Sequence, residues 1–116
     1  MVEGEQKFRG FSSVEEVKPV RMREGIVRKT LVYGDRILLC HWTIEAGTQF
    51  GEHSHIYEQA GFVIRGRLRM IVAGKPKDLL PGSAYLVPPN VRHDAIALED
   101  VEIVDIFSPL REEYVD

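Results

Sequence analysis

The feature that most restricts the fold is the regular return of turn residues between short apolar runs. From Val20 onward, glycine, proline and aspartate interrupt the chain about every eight to twelve residues. No segment between these turns has the length and period of an amphipathic helix. Short strands separated by frequent turns are typical of β-sandwiches and β-barrels. We therefore predict an all-β fold, a small antiparallel jelly-roll barrel.

The chain length predicts one domain, because 116 residues suffice for a single core. We assign the core to about 20–108, a short N-terminal arm to 1–19 and a C-terminal tail with helical character to 109–116. Serine and glutamate at capping-box spacing predict a capped helical turn near Ser12. We place a hairpin tip at 74–77 and the main strands at 26–32, 36–45, 59–65, 68–72, 84–87, 92–98 and 101–107.

Composition excludes several partners. A net charge of −3 argues against nucleic acid and anionic membranes. No apolar run approaches the ~18–20 residues that span a bilayer, and the start lacks the apolar core of a signal peptide. Cys40 is the only cysteine, which excludes an internal disulfide and fits a reducing cytoplasm. Its neighbour His41 points to the opposite face of the strand, so we interpret Cys40 as core packing and His41 as a satisfied core or interface histidine.

Three histidines have the spacing of a metal site. His53 and His55 are two residues apart, and on an extended strand they would project from one face. Gln59 follows past a short corner and can return an amide oxygen to the same point, while His93 comes from a distant strand. The alternative is a set of surface histidines. If the corner is shorter, Glu58 replaces Gln59 as the ligand.

These residues resemble the two motifs of the cupin family. The first motif combines a glycine, a His-x-His pair, a glutamate and a closing glycine. The second combines a glycine, a proline turn, a histidine and an asparagine. Asn90 and Ala97 depart mildly from the second motif, and Gln59 takes the place of the glutamate. The resemblance implies a cupin jelly-roll barrel. The residues that match the motifs are Gly47, His53, His55, Gly66, Gly82, Pro88 and His93.

The predicted ligands are all neutral. Three imidazoles and one amide oxygen leave a divalent ion its full charge, so it would be a stronger Lewis acid than one beside a carboxylate. Non-haem iron oxygenases usually present two histidines and one carboxylate, which differs from this set. We predict a divalent cofactor, and ligand type alone does not choose among Zn, Ni, Mn and Fe.

A second group of candidate residues lies on the last strand. Asp105 interrupts an apolar run, and a strand aspartate is costly in a core unless it is paired or functional. It is either a structural salt bridge, to Arg65, Arg67 or Arg69, or an acid/base group inside the barrel. Arg111 follows just past Pro109, where a guanidinium could hold a carboxylate; otherwise it is a solvated tail charge.

Residues 47–114 resemble the small KdgF-type cupins of pectin and alginate breakdown. That resemblance implies His53, His55, Gln59 and His93 as metal ligands and Asp105, Phe107 and Arg111 as active-site residues. It implies conversion of 4,5-unsaturated monouronates, a small-molecule sugar acid substrate, from the ring form to the linear keto form. It also implies a homodimer. The alternatives are a non-catalytic metal- and sugar-binding cupin and a metal-dependent cupin oxygenase.

Overall fold

Residues 7–116, which the computed structural model describes, fold into nine β-strands and one short 3₁₀ helix. Residues 1–6 of the predicted arm lie outside the described residues. In this part of the chain, no helix is long and apolar enough to span a bilayer. The elements are β1 (Val20–Arg23), β2 (Ile26–Tyr33), β3 (Leu38–Ile44), β4 (Glu58–Arg65), β5 (Leu68–Val72), β6 (Lys75–Leu79), β7 (Ala84–Val87), β8 (His93–Ala97), β9 (Val101–Ser108) and the 3₁₀ helix (Glu112–Tyr114).

The strands form two antiparallel sheets that face each other. The larger sheet has the order β1-β2-β3-β9-β4-β7, and the smaller has the order β6-β5-β8. The chain crosses between the sheets repeatedly, as a jelly roll requires. The predicted all-β jelly-roll fold is confirmed. Because β9 lies between β3 and β4, alternate residues of its inner face enter the middle of the molecule.

The core lies between the two sheets. Leu38, Cys40 and Val63 from the larger sheet and Leu68 from the smaller are fully buried. Burial raises the pKa of the Cys40 thiol, so the cysteine is an inert core residue, as predicted. On the outer face of β3, Thr43 is exposed.

His41 lies on the outer face of the larger sheet and is satisfied there. Its Nε2 atom is 2.6 Å from Glu102 Oε2 on the neighbouring strand β9. Only 4% of the histidine is exposed. The prediction of a satisfied histidine is therefore confirmed, and His41 takes no part in the cavity between the sheets.

The hairpin between β5 and β6 turns earlier than predicted. Its two turn residues are Ala73 and Gly74, with φ of 52° and 79°, and the predicted tip residues 75–77 already belong to β6. Consecutive positive φ angles give the twist that a two-residue hairpin needs. Pro76 obscured this strand in the sequence, yet proline is tolerated here because β6 is an edge strand.

Both terminal segments are attached to the barrel. In the arm, Arg9 pairs with Tyr33 of β2 through two backbone hydrogen bonds of 3.0 and 3.1 Å. The predicted capped turn is present, because the Ser13 amide donates to the Glu16 carboxylate at 2.8 Å. In the tail, the 3₁₀ helix agrees with the predicted helical character and buries Tyr114 against the core.

Arg28 anchors the tail from inside the barrel. Its guanidinium donates to the backbone oxygen of Tyr114 at 3.0 Å and to the Asp116 carboxylate at 2.7 Å. It also donates to Thr30 Oγ1 and lies 4.3 Å from the centre of the Tyr114 ring. Since Arg28 is only 2% exposed, these contacts replace its water shell.

We expect the Arg28→Ala variant to lose about 2–3 kcal/mol of unfolding free energy, because several buried hydrogen bonds disappear together. Urea denaturation measures this loss. Arg36→Ala is the matched control, because the Arg36 side chain is 89% exposed and lies 3.9 Å from Asp35, so its removal should change stability by less than about 0.5 kcal/mol. Equal stability of the two variants would contradict the anchoring role.

Candidate metal centre and cavity

The three histidines meet at one end of the barrel. His93 is the first residue of β8, whereas His53 and His55 lie in the loop between β3 and β4 rather than on the predicted strand. Of the two loop histidines, only His53 forms a β-bridge: its backbone N–H donates to the His93 carbonyl at 2.9 Å, and its carbonyl accepts from the His93 N–H at 2.8 Å. One ligand atom from each imidazole lies within 4.8 Å of the others. The loop thus brings the residues of both motifs to a single point.

Backbone carbonyls fix the orientation of all three rings. The Nδ1 atoms of His53, His55 and His93 lie 2.7, 3.0 and 2.9 Å from the carbonyl oxygens of Gly51, Tyr57 and Val91. A carbonyl only accepts, so each Nδ1 carries the proton and each Nε2 keeps a free lone pair. This arrangement is typical of histidines that bind a metal through Nε2.

Gln59 turns its amide oxygen toward the histidines. It is the second residue of β4 and is 8% exposed. Its Nε2 donates to Asp105 Oδ2 at 3.1 Å, so its Oε1 faces His55 Nε2, also at 3.1 Å. Glu58 is exposed on the opposite face of β4, so the alternative in which it replaces Gln59 is wrong.

The unpaired lone pairs fit a cation. His55 Nε2 and Gln59 Oε1 are both acceptors, and neither can satisfy the other. His93 Nε2 is buried and has no hydrogen-bond partner. Burial is the main cause that lowers the pKa of both His55 and His93, which favours the neutral imidazole that metals bind. This donor set of nitrogen and oxygen atoms is therefore compatible with one divalent ion.

Asp105 lies inside the barrel on β9 and is 3% exposed. Tyr85 donates its hydroxyl to Asp105 Oδ1 at 2.5 Å, and Gln59 donates to Oδ2. Burial raises the pKa of this carboxyl to about 7, against the opposing effect of its hydrogen bonds. The salt-bridge interpretation is wrong, because the candidate arginines pair elsewhere: Arg65 with Glu102, Arg67 with Glu99 and Arg69 with Asp78.

Arg111 lies at the cavity mouth among aromatic rings. Its guanidinium carbon is 5.1, 4.8 and 4.2 Å from the ring centres of Tyr57, Phe107 and Tyr114. Its Nε donates to Glu113 at 3.0 Å, and its side chain is only 15% exposed. The alternative of a solvated tail charge is therefore wrong. The rings hold the cation through cation–π contacts and orient it toward the cavity.

Phe107 forms part of the wall between the three histidines and the tail. Its ring centre is 5.9 Å from that of His55 and 5.6 Å from that of Tyr114. The residue is 2% exposed, so it is a core residue as well as a cavity residue. One cavity thus contains all seven predicted site residues and further walls from Trp42, Phe50, Leu68, Met70, Tyr85, Ala95, Ile103 and Tyr114.

Tyr85 and Tyr57 contact the predicted site residues, and the sequence analysis missed both. Tyr57 donates its hydroxyl to Glu113 at 3.0 Å and thereby supports the group that pairs with Arg111. A signal for Tyr85 was available in the strand glycine Gly61, because glycine inside a strand often marks a close approach of neighbouring groups. No comparable local signal pointed to Tyr57.

The chain belongs to the cupin family, because the model of the cupin domain matches residues 40–107. Within that family it is similar to KdgF. The pectin degradation protein KdgF of Dickeya dadantii (strain 3937) is 28% identical over 94 residues, which cover 79% of this chain and 86% of the relative.

Two solved structures agree with this placement. The structure of KdgF from Halomonas sp. has a TM-score of 0.88 at 28% identity and covers 92% of this chain and 99% of its own. An RmlC-like cupin from Shewanella frigidimarina NCIMB 400 has a TM-score of 0.89 at 28% identity, with coverage of 95% and 98%. The fold is therefore shared along nearly the whole chain.

We expect the His55→Ala variant to lose at least about tenfold in zinc affinity, because one of few metal-binding groups disappears. Metal analysis after purification without added metal, together with competition against a chelator, measures the loss. His41→Gln is the control, since His41 pairs with Glu102 on the outer face. If His55→Ala retains as much metal as the wild type, the ligand assignment is wrong.

Proposed function

We propose that this protein converts 4,5-unsaturated monouronates from the ring form to the linear keto form. The observation that carries the proposal is the buried carboxyl of Asp105, which shares one cavity with three converging histidines and the guanidinium of Arg111. Similarity to a pectin degradation protein supports a uronate as the substrate class. We extend the proposal to the fragments that pectin and alginate lyases release.

The proposed metal site has His53, His55, Gln59 and His93 as ligands. When bound there, a divalent ion supplies Lewis-acid polarisation of substrate oxygens. The neutral ligands leave the ion its full charge. Arg111 would hold the substrate carboxylate, because a guanidinium matches a carboxylate in geometry and charge. Phe107 would pack against the sugar and exclude water from the reacting atoms.

Asp105 would move the proton. As a carboxylate it takes the proton from the hemiacetal hydroxyl, and the oxygen's electrons form the C1 carbonyl. The bond between C1 and the ring oxygen then breaks, and its electrons remain on that oxygen as an enolate. The enolate collapses to the C5 ketone while C4 takes a proton from Asp105. The reaction is an isomerisation without net proton change, and a carboxyl with a pKa of about 7 suits both halves of it.

We expect the Asp105→Asn variant to lose on the order of 10²–10⁴ in rate, because an amide cannot carry the proton. Arg111→Ala should mainly raise KM, because it removes a contact made in the ground state. Loss of the ultraviolet absorbance of the conjugated double bond in unsaturated galacturonate and alginate monomers follows the reaction. Arg36→Ala is the control, since that side chain is solvent-exposed.

Three outcomes would contradict parts of this proposal. If the wild type accelerates neither substrate beyond its spontaneous rate, the enzymatic function is wrong, and a non-catalytic sugar-binding cupin is the better account. Full activity in Asp105→Asn with unchanged zinc content would remove Asp105 from the mechanism. Oxygen consumption coupled to substrate loss would favour an oxygenase.

We also propose a homodimer that buries the outer face of the larger sheet. A continuous apolar row crosses four neighbouring strands of this face. Its members, which lie opposite one another, are Leu39, Ile106, Ala60 and Leu86. Outer sheet faces are usually polar, and exposed apolar patches mark interaction sites. Since a two-fold interface brings the same patch together twice, an apolar and nearly uncharged row suits a second copy.

We expect Phe62→Glu to convert the dimer into a monomer, because it places two like charges in the interface. Phe62 lies beside the apolar row and is 46% exposed. Light scattering coupled to size-exclusion chromatography measures the mass. Leu80→Glu is the matched control, since Leu80 is 59% exposed and follows β6 of the smaller sheet. A monomeric wild type, or a Phe62→Glu protein that remains dimeric, would contradict this interface.

A further inference from the structure

A glycine opens the space in which Tyr85 and Asp105 meet. Tyr85, Gly61 and Asp105 stand opposite one another on the adjacent strands β7, β4 and β9. The two outer backbones are therefore separated by two strand spacings, about 10 Å. A Cβ atom at position 61 would overlap both the Tyr85 ring and Asp105 Oδ1. Only glycine lets the tyrosine hydroxyl cross the middle strand and reach the carboxylate.

The Tyr85 hydroxyl begins a chain of contacts that ends at the histidines. The hydroxyl donates to Asp105 Oδ1 at 2.5 Å, and the Gln59 amide nitrogen donates to Oδ2 at 3.1 Å. The remaining atom of that amide, Oε1, is 3.1 Å from His55 Nε2. With one donor on each oxygen, the carboxylate has a defined orientation, and this orientation decides which end of the amide faces the histidines.

We infer that Tyr85 is a positioning residue for the metal centre. Its hydroxyl holds the Asp105 carboxylate, the carboxylate holds the amide nitrogen of Gln59, and the amide oxygen of Gln59 is thereby directed at the metal. Tyr85 itself contacts none of the histidines; its effect passes through two other side chains. The inference rests on the metal site of the proposed function and adds a residue that supports the ligand set from outside.

Removal of the hydroxyl alone separates this role from simple packing. Tyr85→Phe keeps the ring and its volume, so the core contacts of β7 remain. Asp105 Oδ1 loses its donor, and the carboxylate is free to turn away from Gln59. The amide oxygen then spends less time facing the metal. Loss of such outer hydrogen bonds typically weakens metal binding by about 10–100-fold.

The experiment is a double-mutant cycle on zinc affinity. The zinc affinity of each protein is measured by competition with a chelator of known affinity. The four proteins are the wild type, Tyr85→Phe, Gln59→Ala and the double variant. We expect Tyr85→Phe to weaken zinc binding about tenfold in the wild type and less than about twofold in the Gln59→Ala background, because the positioned ligand is then absent. Tyr33→Phe controls for loss of a tyrosine hydroxyl outside the cavity.

The readout distinguishes the inference from the proposed function. Failure of the wild type to bind any of zinc, nickel, manganese and iron would overturn the metal centre itself. Zinc binding that is equally tight in wild type and Tyr85→Phe would overturn the role of Tyr85 and leave the metal centre intact. Equal weakening in both backgrounds would also overturn it, because a purely structural effect does not depend on Gln59. Urea midpoints of the metal-free proteins show whether stability has changed.

Discussion

The site depends on the pair of backbone hydrogen bonds between His53 and His93. These residues are separated by 40 positions in the chain, and their pair is one of two isolated bridges between this loop and β8; the other joins Gln49 to Ile96. The bridge extends the smaller sheet and fixes the height of the loop against β8. His55 follows two residues later, so its position is determined as well. Backbone hydrogen bonds from Phe50 to Ala95 and from Asn90 to His55 continue the pairing on both sides of His53, so the imidazoles of the two motifs converge.

The cavity contains neutral imidazoles, which burial favours, and a carboxylate, which burial destabilises. Metal binding needs unprotonated imidazoles. Burial lowers the pKa of His55 and His93, and a backbone carbonyl accepts from Nδ1 of each of the three rings. A buried carboxylate is costly, and Asp105 is tolerated because Tyr85 and Gln59 each satisfy one oxygen. The same burial brings its pKa near neutrality. Groups that stabilise the aspartate also orient a candidate ligand, so Asp105 and the candidate metal centre are joined through Gln59.

The sequence predicted the parts that are encoded locally. Turn residues predicted the strands. The spacing within each of the two short motifs indicated that His53, His55 and His93 converge, because each motif is a short-range pattern. The β5–β6 hairpin was misplaced because Pro76 was interpreted as a turn residue. A strand tolerates proline when it lies at the edge of a sheet, and that position depends on tertiary structure. Tyr85 was missed for a similar reason. The role of Tyr85 follows from the strand order, which places Gly61 between Tyr85 and Asp105. The alternation of apolar and polar residues along a strand does not reveal which strands are neighbours.

The position of Arg111 shows how far such non-local dependence extends. From composition alone, a solvated charge was the favoured interpretation of this tail arginine, and only the family resemblance favoured binding. Tyr114 is one of the three rings around Arg111, at 4.2 Å, and Arg28 lies 4.3 Å from the centre of the same ring. Arg28 also binds the backbone oxygen of Tyr114, although 86 residues separate the two. A buried arginine on β2 thus holds the tail that carries Arg111, so the position of this cavity-lining cation depends on a charge in the second strand.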